Sequence, residues 1–397
     1  MSARIRVRPA ARAVFAPARV NLIGEHTDYS GGLVLPVAVD LGTTVTWRPH
    51  AAIRLRSLAF GESVTLAPDG LAQGRLSGWR RYVAAVSRLL HERGRPPVGL
   101  AGTISSTVPI GAGLSSSAAL DVSVALALSS AADFALAPLE LARLAQDAER
   151  LAVGVPCGLM DPATSLLARS GHAILLDCAT EKYRHVPLPP DVAVVVFDSG
   201  IRHELEHSGY AARRAELERA LAALGGRNPA TLDPAAAEAQ ARAAGVDDTA
   251  LRRLRHVVTE NERVRRCVAA LERSEGANLA ALGTLFREGH ESLRRDFEVS
   301  TPELDLLVEL AYEHHAIAAR MTGGGFGGAI VALAAATEAR SLVDAVVGTY
   351  AAKTGRDATA YVCASVDGAG EIEPPRMGPP RGDRAPEGGA LSSRHAG

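Results

Sequence analysis

The chain has 397 residues and a formal net charge of −1, and hydrophobic residues make up 47% of it. This length and composition are typical of a globular protein of two or three domains with a large buried core. The charge balance offers no electrostatic basis for binding nucleic acid or an anionic membrane, so we expect neither as a partner. No apolar run reaches the length of a membrane span.

The four cysteines, Cys157, Cys178, Cys267 and Cys363, are scattered along the chain without paired spacing. This argues against a disulfide framework and against a zinc ribbon. Scattered thiols fit a reducing compartment, so we expect a cytoplasmic protein.

In the first half of the chain, alternating polarity predicts strands, and apolar residues spaced three or four apart predict helices. One helix is apolar on almost every side, which indicates that it is buried. The predicted elements are strands within 34–47 and at 192–197, and helices at 79–91, 116–130 and 138–152.

In the second half, helices and strands alternate as in an α+β domain. The predicted elements are a helical region at 210–285, a helix at 302–320, a strand at 329–334, a helix at 339–354 and a strand at 358–366. From Asp367 onward the chain is rich in Pro, Gly, Arg and Glu, which predicts a disordered tail. We therefore predict an N-terminal domain at 1–197, a C-terminal domain at 198–366 and a tail at 367–397.

The most informative segment is the glycine- and serine-rich stretch at 109–120. Its glycines, Gly111 and Gly113, let backbone N–H groups approach a phosphate, and the serines that follow open a helix whose positive end faces the anion. The chain contains only two lysines, Lys182 and Lys353, and both are far from this segment. Phosphate charge must then be met by backbone dipoles, arginine and a metal. An ordinary loop with a serine helix cap is the alternative.

Two carboxylates are candidates for work beside a phosphate. Glu149 falls late in a predicted helix and could bind magnesium, because a carboxylate near a polyphosphate requires a cation between them. Asp161 lies between Met160 and Pro162, an apolar setting that is unusual for a solvated acid. A surface charge for Glu149 and a helix cap for Asp161 are the simpler readings of each residue taken alone.

Residues 19–28 concentrate Arg, Asn, Glu, His, Thr, Asp and nearby Tyr around Gly24. Such a density of donors and acceptors suits a polyhydroxylated ligand, since each buried hydroxyl needs partners. A solvated turn is the alternative, although Val20, Leu22 and Ile23 indicate partial burial.

The segment at 321–328 contains Gly323, Gly325 and Gly328 in the spacing of a dinucleotide-binding loop. A dinucleotide site needs a helix directly after the loop, whereas residues 329–333 have the composition of a strand. We therefore expect a backbone wall beside a ligand and no dinucleotide site.

Residues 203–207 read His-Glu-Leu-Glu-His, which fits the short pattern of zinc proteases. A zinc site of that kind needs a long helix and a third ligand downstream. Gly209 follows almost at once, so a zinc hydrolase is a weak alternative that rests on His203 and His207 alone.

Together the segments at 18–32, 109–120 and 321–328 resemble the galactokinases, within the superfamily of sugar, homoserine, mevalonate and phosphomevalonate kinases. The first segment is the specific one, and the other two are shared across the superfamily. The similarity runs from about residue 12 to residue 366. It implies that Glu25, His26, Thr27, Asp28 and Tyr210 bind the sugar, that Gly111, Ala112, Gly113, Leu114, Ser115, Ser116 and Ser117 bind ATP, that Ser117 and Glu149 bind Mg²⁺, and that Asp161 and Arg19 are catalytic.

The resemblance also implies a two-lobed α+β fold, with a ribosomal-S5-like α/β domain before a ferredoxin-like α+β domain and the substrates in the cleft. The implied reaction is phosphoryl transfer from MgATP to the C1 hydroxyl of galactose by a monomeric enzyme. Asp161 would accept the hydroxyl proton or orient the nucleophile. Arg19 beside it would stabilise the carboxylate and weaken it as a base, which a loose transition state tolerates.

The chain departs from the family in one place near the expected site. The family has Gln after the catalytic Asp, whereas this chain has Pro162, which offers neither an N–H nor an amide side chain. The alternatives that stay open are a kinase for another sugar, such as a galactosamine derivative or arabinose, and a non-catalytic sensor of galactose and ATP. The intact serine segment and Asp161 argue against the sensor.

Overall fold

The structure of the chain is a computed structural model that describes residues 10–72, 74–154, 157–202, 206–274 and 276–375, with backbone alone at 206–208. The first part of the chain forms strands where polarity alternates and helices where apolar residues recur every three or four positions. In chain order these elements are β1 (Arg12–Asn21), β2 (Leu33–Val34), β3 (Pro36–His50), β4 (Ile53–Ser57), β5 (Ser63–Leu66), α1 (Arg80–Glu92), β6 (Gly99–Ser106), α2 (Ser116–Ala131), α3 (Pro138–Val153), α4 (Met160–Leu167), β7 (His172–Asp177) and β8 (Lys182–Pro187).

The remaining described residues form a strand, a group of helices and a strand-rich end. These elements are β9 (Val192–Asp198), α5 (Glu206–Ala223), α6 (Pro234–Ala243), α7 (Asp248–Leu271), α8 (Leu279–Ser292), α9 (Pro302–Glu313), β10 (Ala318–Thr322), β11 (Ala329–Ala335), α10 (Ala339–Thr354), β12 (Thr359–Cys363) and β13 (Gly370–Ile372).

The first sheet has the strand order β13-β1-β3-β6-β4-β5. Helix α2 packs against β1 and β3, and α1 and α3 pack against α2. The β1–β3 register shifts between Pro17 and Ala18. A proline cannot donate to the ladder, and such an irregularity bends a strand and turns its side chains. The shift falls just before Arg19 and Asn21, which line the cleft described below.

The second sheet has the order β10-β11-β9-β12. Its chain order of strand, helices, two strands, helix and strand is the ferredoxin-like arrangement. These two sheets confirm a two-lobed α+β fold. Strand β9 pairs with β11 and β12, so it belongs to the second sheet. The predicted boundary at 197 therefore falls one strand too late, because a buried apolar strand carries no local mark of its partner sheet.

The two lobes share one apolar core. Val20 of β1 and Leu22, which directly follows β1, lie in the same buried cluster as Val196 of β9, Phe286 of α8 and Leu333 of β11. Because this core continues from one sheet to the other, the end of β1 and the loops around it are held in a fixed position. Those loops carry the candidate site.

Two further predictions need correction. The helix predicted at 302–320 ends at Glu313, and His315 has a left-handed backbone, with a φ of 69°, before β10 begins. The tail predicted from residue 367 is structured at its start, where β13 pairs with β1. Backbone pairing along a sheet edge depends little on side-chain type, so composition alone missed it. Residues 376–397 lie outside the described part of the chain.

No helix among the described residues combines the length and the apolar character that a membrane span requires.

Candidate active site

The segment that connects β6 to α2 forms an open loop of backbone groups. Gly111 and Gly113 have φ values of 73° and 76°, in the left-handed region that favours glycine. The side chains of Ala112 and Leu114 are buried in the shared core. Since these side chains point inward, the loop offers its backbone to a ligand at the start of α2, where N–H groups bind anions.

Ser115, the residue before α2, adopts a left-handed backbone with a φ of 59°, which is uncommon for a residue with a side chain. The conformation costs on the order of 1–3 kcal/mol and persists only where the surroundings hold it. Its hydroxyl donates to Asp161 Oδ2 and does not cap the helix. The strained residue therefore joins the loop to the candidate catalytic carboxylate.

Arg19 and Asp161 form a two-pronged ion pair. Arg19 Nε donates to Asp161 Oδ1 at 2.7 Å and Nη2 donates to Oδ2 at 2.8 Å. The remaining nitrogen, Nη1, donates to the carbonyl of Gly113 at 2.6 Å. Asp161 lies in the first turn of α4, where backbone N–H groups stabilise negative charge. Strand β1, the phosphate loop and α4 thus meet at one carboxylate.

Ser117 and Glu149, predicted as metal ligands, contact each other. Ser117 Oγ on α2 donates to Glu149 Oε1 on α3 at 2.6 Å. Burial raises the pKa of Glu149 more than this hydrogen bond lowers it, and the charge of Asp161 raises it further. Both oxygens of Asp121, one turn after Ser117, are buried without a hydrogen-bond partner among the described residues. A hydroxyl with nearby carboxylates is a donor set that suits a hard cation such as Mg²⁺.

The turn after β1 carries the predicted sugar-binding residues. Burial raises the pKa of Glu25 to about 7, although the buried Arg320 beside it opposes this effect. Burial also lowers the pKa of His26 to about 3, so the ring is neutral near neutral pH. For Asp28, burial and then the charge of Asp161 raise the pKa to about 6.

These residues line a cavity of about 270 Å³ between the lobes, slightly below the range of about 300–1,000 Å³ that is usual for small-ligand sites. Two of its buried polar atoms, Asn21 Nδ2 and His26 Nε2, have no hydrogen-bond partner among the described residues, whereas Glu25 Oε2 is paired with Arg320 at 2.9 Å. Unpaired buried groups are costly, so a ligand with several hydroxyls fits this wall. The lining residues are Arg19, Asn21, Glu25, His26, Asp28, Tyr29, Glu149, Cys157, Gly158, Met160, Asp161, Tyr210, Gly323 and Gly324.

Thr27 is the predicted sugar-binding residue that does not line this cavity. It is fully buried, and its hydroxyl donates to the carbonyls of Gly24 at 2.8 Å and Leu33 at 2.7 Å. Its role in the structure is to close the turn that presents Glu25, His26 and Asp28. The prediction gave it a ligand contact because the sequence does not show which way each side chain of a turn points.

Tyr210 reaches the cavity from α5 of the second lobe. Its ring centroid lies 5.7 Å from that of His26 and 5.4 Å from that of Tyr29, so the three rings form one aromatic wall. Aromatic faces of this kind pack well against the apolar face of a sugar ring.

The third glycine-rich segment forms a further part of the wall, next to Tyr210. Gly323 and Gly324 line the cavity, and a Cβ added at Gly323 would lie 3.1 Å from the carbonyl oxygen of Gly113. The segment therefore packs directly on the phosphate loop. It is followed by β11 and not by a helix, which confirms the predicted strand and argues against a dinucleotide site.

A second cavity, of about 330 Å³, is lined by Ser117. Sequence reasoning did not find it. Much of its wall is apolar or aromatic, and Phe60 and Ile110 are more than half exposed at its rim. The exposure of these apolar side chains is a property of the fold, so the sequence alone does not reveal the pocket. Its lining includes Phe60, Trp79, Tyr82, Ile104, Val108, Ile110, Ser116 and Ser117.

Helix α7 holds the sugar turn from the second lobe. His256 Nε2 lies 3.1 Å from the carbonyl oxygen of Glu25, Glu260 accepts from the N–H of Gly24 at 2.9 Å, and Asn261 accepts from the N–H of Leu33 at 2.7 Å. Glu260 also pairs with Arg320, the residue that pairs with Glu25. Sequence reasoning missed these α7 residues, because their burial is a property of the fold and their partners are backbone groups far away along the chain.

The zinc alternative cannot be judged at His203, which lies outside the described residues together with the side chain of His207. Within the described part of the chain, no group of three or more His, Cys, Asp and Glu side chains is arranged to hold a metal ion.

Three family models match the chain. The galactokinase galactose-binding signature matches residues 4–49. The N terminal domain of the GHMP kinases matches residues 81–169, and the GHMP kinase C terminal model matches residues 267–352. Between them the models span the sugar turn, the phosphate loop with Glu149 and Asp161, and the third glycine-rich segment.

Relatives cover nearly the whole chain. A galactokinase of Chloroflexus aggregans is 41% identical over 362 residues, which are 90% of this chain and 92% of the relative. A galactokinase of Streptomyces coelicolor is 40% identical over 343 residues, which are 85% of this chain and 88% of the relative.

Solved structures agree with this assignment. Lactococcus lactis galactokinase complexed with galactose superimposes with a TM-score of 0.86 at 32% identity, covering 92% of this chain and 96% of that one. Methanococcus jannaschii mevalonate kinase superimposes with a TM-score of 0.65 at 18% identity, covering 91% and 100% of the two chains, and shows the shared fold alone. The chain therefore belongs to the galactokinase family of sugar kinases.

Proposed function

We propose that the chain transfers the γ-phosphoryl group of MgATP to the C1 hydroxyl of galactose, giving galactose 1-phosphate and ADP. One observation carries the proposal. Ser117 lines the apolar cavity, Glu149 lines the polar cavity, and these two side chains contact each other at 2.6 Å. A nucleotide in the first cavity and a sugar in the second would meet beside the phosphate loop and Asp161.

The apolar cavity suits the base of ATP. Trp79 just before α1, Tyr82 on α1 and Phe60 after β4 supply aromatic faces, and Ser116 and Ser117 at the start of α2 also line the cavity. A nucleobase stacks on aromatic side chains, and the phosphates of such a nucleotide would extend over the N-terminus of α2. The backbone N–H groups of residues 111–117 would neutralise part of their charge.

The polar cavity suits the sugar. Glu25 and Asp28 offer carboxylate oxygens to hydroxyl donors, and His26 and Tyr210 add a neutral ring nitrogen and a hydroxyl. Arg19 and Asp161 lie at the end of the cavity nearest the phosphate loop. We therefore place the phosphorylated hydroxyl at Asp161.

Ser117 and Glu149 would hold Mg²⁺, which would supply charge neutralisation on the transferred phosphate when bound. Asp161 would accept or orient the proton of the attacking hydroxyl. Its oxygens are held by Arg19 and Ser115, so its orientation is fixed before the sugar arrives. Arg19 adds positive charge where negative charge accumulates, and fixed geometry of this kind accounts for much of phosphoryl-transfer catalysis.

The test is a screen for ADP release with ATP, magnesium and a panel of sugars that includes galactose, galactosamine, N-acetylgalactosamine, arabinose and glucose. We expect galactose to give the highest kcat/KM, with NMR placing the phosphate on C1. If an amino sugar or arabinose gives a higher kcat/KM than galactose, that sugar and not galactose is the substrate. Binding of galactose and ATP without ADP release would make the chain a sensor.

A further inference from the structure

The polar cavity holds many acceptors and few donors. Four carboxylates line it, Glu25, Asp28, Glu149 and Asp161. A carboxylate accepts a hydrogen bond from a sugar hydroxyl. The oxygen of the same hydroxyl can also accept a hydrogen bond, and for that it needs a donor from the protein. Arg19 directs Nε and Nη2 at Asp161 and Nη1 at the carbonyl of Gly113.

Neutral donors are therefore important in this cavity. The neutral ring of His26 supplies at most one N–H, and Tyr29 and Tyr210 supply one O–H each. Asn21 supplies two, from an amide that does not titrate.

Asn21 is the last residue of β1 and is fully buried, yet it lines the cavity. Its Oδ1 accepts from the N–H of Leu35 at 3.3 Å, which turns Nδ2 away from that N–H. Within the described residues, Nδ2 has no hydrogen-bond partner. Arg19 and Asn21 are two positions apart on one strand, so their side chains leave the same face.

We propose that Asn21 is a further sugar-binding residue, whose Nδ2 donates to the hydroxyl next to the phosphorylated one. The proposal rests on the proposed function, in which Arg19 and Asp161 mark the phosphorylated end. In galactose this neighbour is the C2 hydroxyl. Asn21 satisfies its buried N–H groups only when the sugar is bound.

The first experiment compares Asn21→Ala with the wild type on galactose and on 2-deoxygalactose. We expect Asn21→Ala to lower kcat/KM for galactose by about 3- to 10-fold, the effect of one neutral hydrogen bond. On 2-deoxygalactose the two enzymes should differ by less than about twofold, because the acceptor is gone. An equal loss on both sugars overturns the proposal. The KM for MgATP should not change. The control sugar is 6-deoxygalactose, which keeps the C2 hydroxyl, so on it Asn21→Ala should lose as much kcat/KM as on galactose.

The second experiment does not depend on a variant that turns over. The side-chain amide resonances of Asn21 are assigned in ¹⁵N-asparagine-labelled protein by their absence in Asn21→Asp. Saturating galactose should shift these resonances in the wild type. Saturating 2-deoxygalactose should move them by less than one linewidth from their positions in the sugar-free protein. Resonances that respond equally to both sugars, or to neither, overturn the proposal. A wild type that releases no ADP with galactose contradicts the proposed function instead.

Discussion

Arg19 at the end of β1 binds Asp161 at the start of α4 through two parallel hydrogen bonds of 2.7 and 2.8 Å. The pair is largely shielded, with 7% of the arginine side chain and 24% of the carboxylate side chain exposed. Such a fork fixes both the position and the plane of the carboxylate. Since 142 residues separate the partners, the active site depends on the packing of the first sheet against α4.

Asp161→Ala should abolish turnover while the sugar still binds. The variant removes the group that accepts or orients the hydroxyl proton, whereas Glu25, His26 and Asp28 stay in place. We expect kcat to fall by at least about 10³-fold with the galactose Kd changed by less than about tenfold. Coupled ADP release measures the first quantity and calorimetry with galactose the second. Substantial turnover by this variant would show that Asp161 neither accepts nor orients the hydroxyl proton.

Arg19→Lys is the matched variant on the other partner. Lysine keeps the positive charge but cannot form the two-pronged contact. We expect a loss of kcat smaller than that of Asp161→Ala, because the carboxylate remains but is less well oriented. Equal losses in the two variants would mean that orientation accounts for the whole effect of Asp161.

Glu149→Gln should raise the magnesium requirement. An amide is a weaker ligand for Mg²⁺ than a carboxylate, and the contact with Ser117 would persist through the amide oxygen. We expect the magnesium concentration for half-maximal rate to rise about tenfold or more at fixed ATP. Ser117→Ala should shift it in the same direction.

The control is Asp147→Asn, which removes a charge from an exposed position two residues earlier on α3. It should leave the magnesium titration unchanged. If Glu149→Gln behaves like this control, Glu149 is not a ligand.

The phosphate loop and the sugar turn could be predicted from the sequence because their signals are local. Glycines at Gly111 and Gly113 and serines at the next helix start predict an anion site whatever the rest of the chain does. Glu149 and Asp161 carry no such local mark. Taken alone, each is a single carboxylate with a simpler reading, and only the family resemblance predicts that the two act together; the structure has both lining one cavity.

The residues of α7 show what local patterns omit. His256, Glu260 and Asn261 bind backbone groups 231, 236 and 228 positions away along the chain. Backbone N–H and C=O groups are the same for every residue, so no sequence pattern names them as partners. The same reason explains why β13 was missed, since it joins the edge of β1 through backbone pairing.

The pH profile should show an acid limb set by the sugar turn. The pKa of Glu25 is raised to about 7 and that of Asp28 to about 6, so both gain protons well above the usual range for carboxyl groups. Protonation replaces an acceptor by a donor, so kcat/KM for galactose should fall as the pH drops through 7 and 6. We expect at least a tenfold fall between pH 8 and pH 5 with MgATP saturating.

Asp28→Asn should remove the lower of these two transitions and leave the limb near pH 7. A profile for the wild type that stays flat down to pH 5 would show that neither carboxylate needs its charge to bind the sugar.

Glu260→Gln should lower the free energy of unfolding by about 3–5 kcal/mol, because it leaves buried arginines without their full counter-charge. Asn261→Ala removes one acceptor for the N–H of Leu33 and should cost about 1–3 kcal/mol. Urea denaturation measures both. Glu262→Gln, on the exposed face of the same helix, is the control and should change little. A smaller loss for Glu260→Gln than for Asn261→Ala would mean that burying the charges outweighs their pairing.

Gly158→Ala should weaken sugar binding through Asp28. A Cβ at this position would lie 1.7 Å from Asp28 Oδ2, so the carboxylate would have to leave its place in the cavity. We expect the KM for galactose to rise about tenfold or more and the KM for MgATP to stay within twofold, because Gly158 lines the polar cavity and does not line the apolar one. Gly348→Ala is the matched control, since a Cβ there meets nothing within 4 Å and α10 tolerates alanine. If both variants keep the wild-type KM for galactose, Asp28 does not bind the sugar from the position seen here.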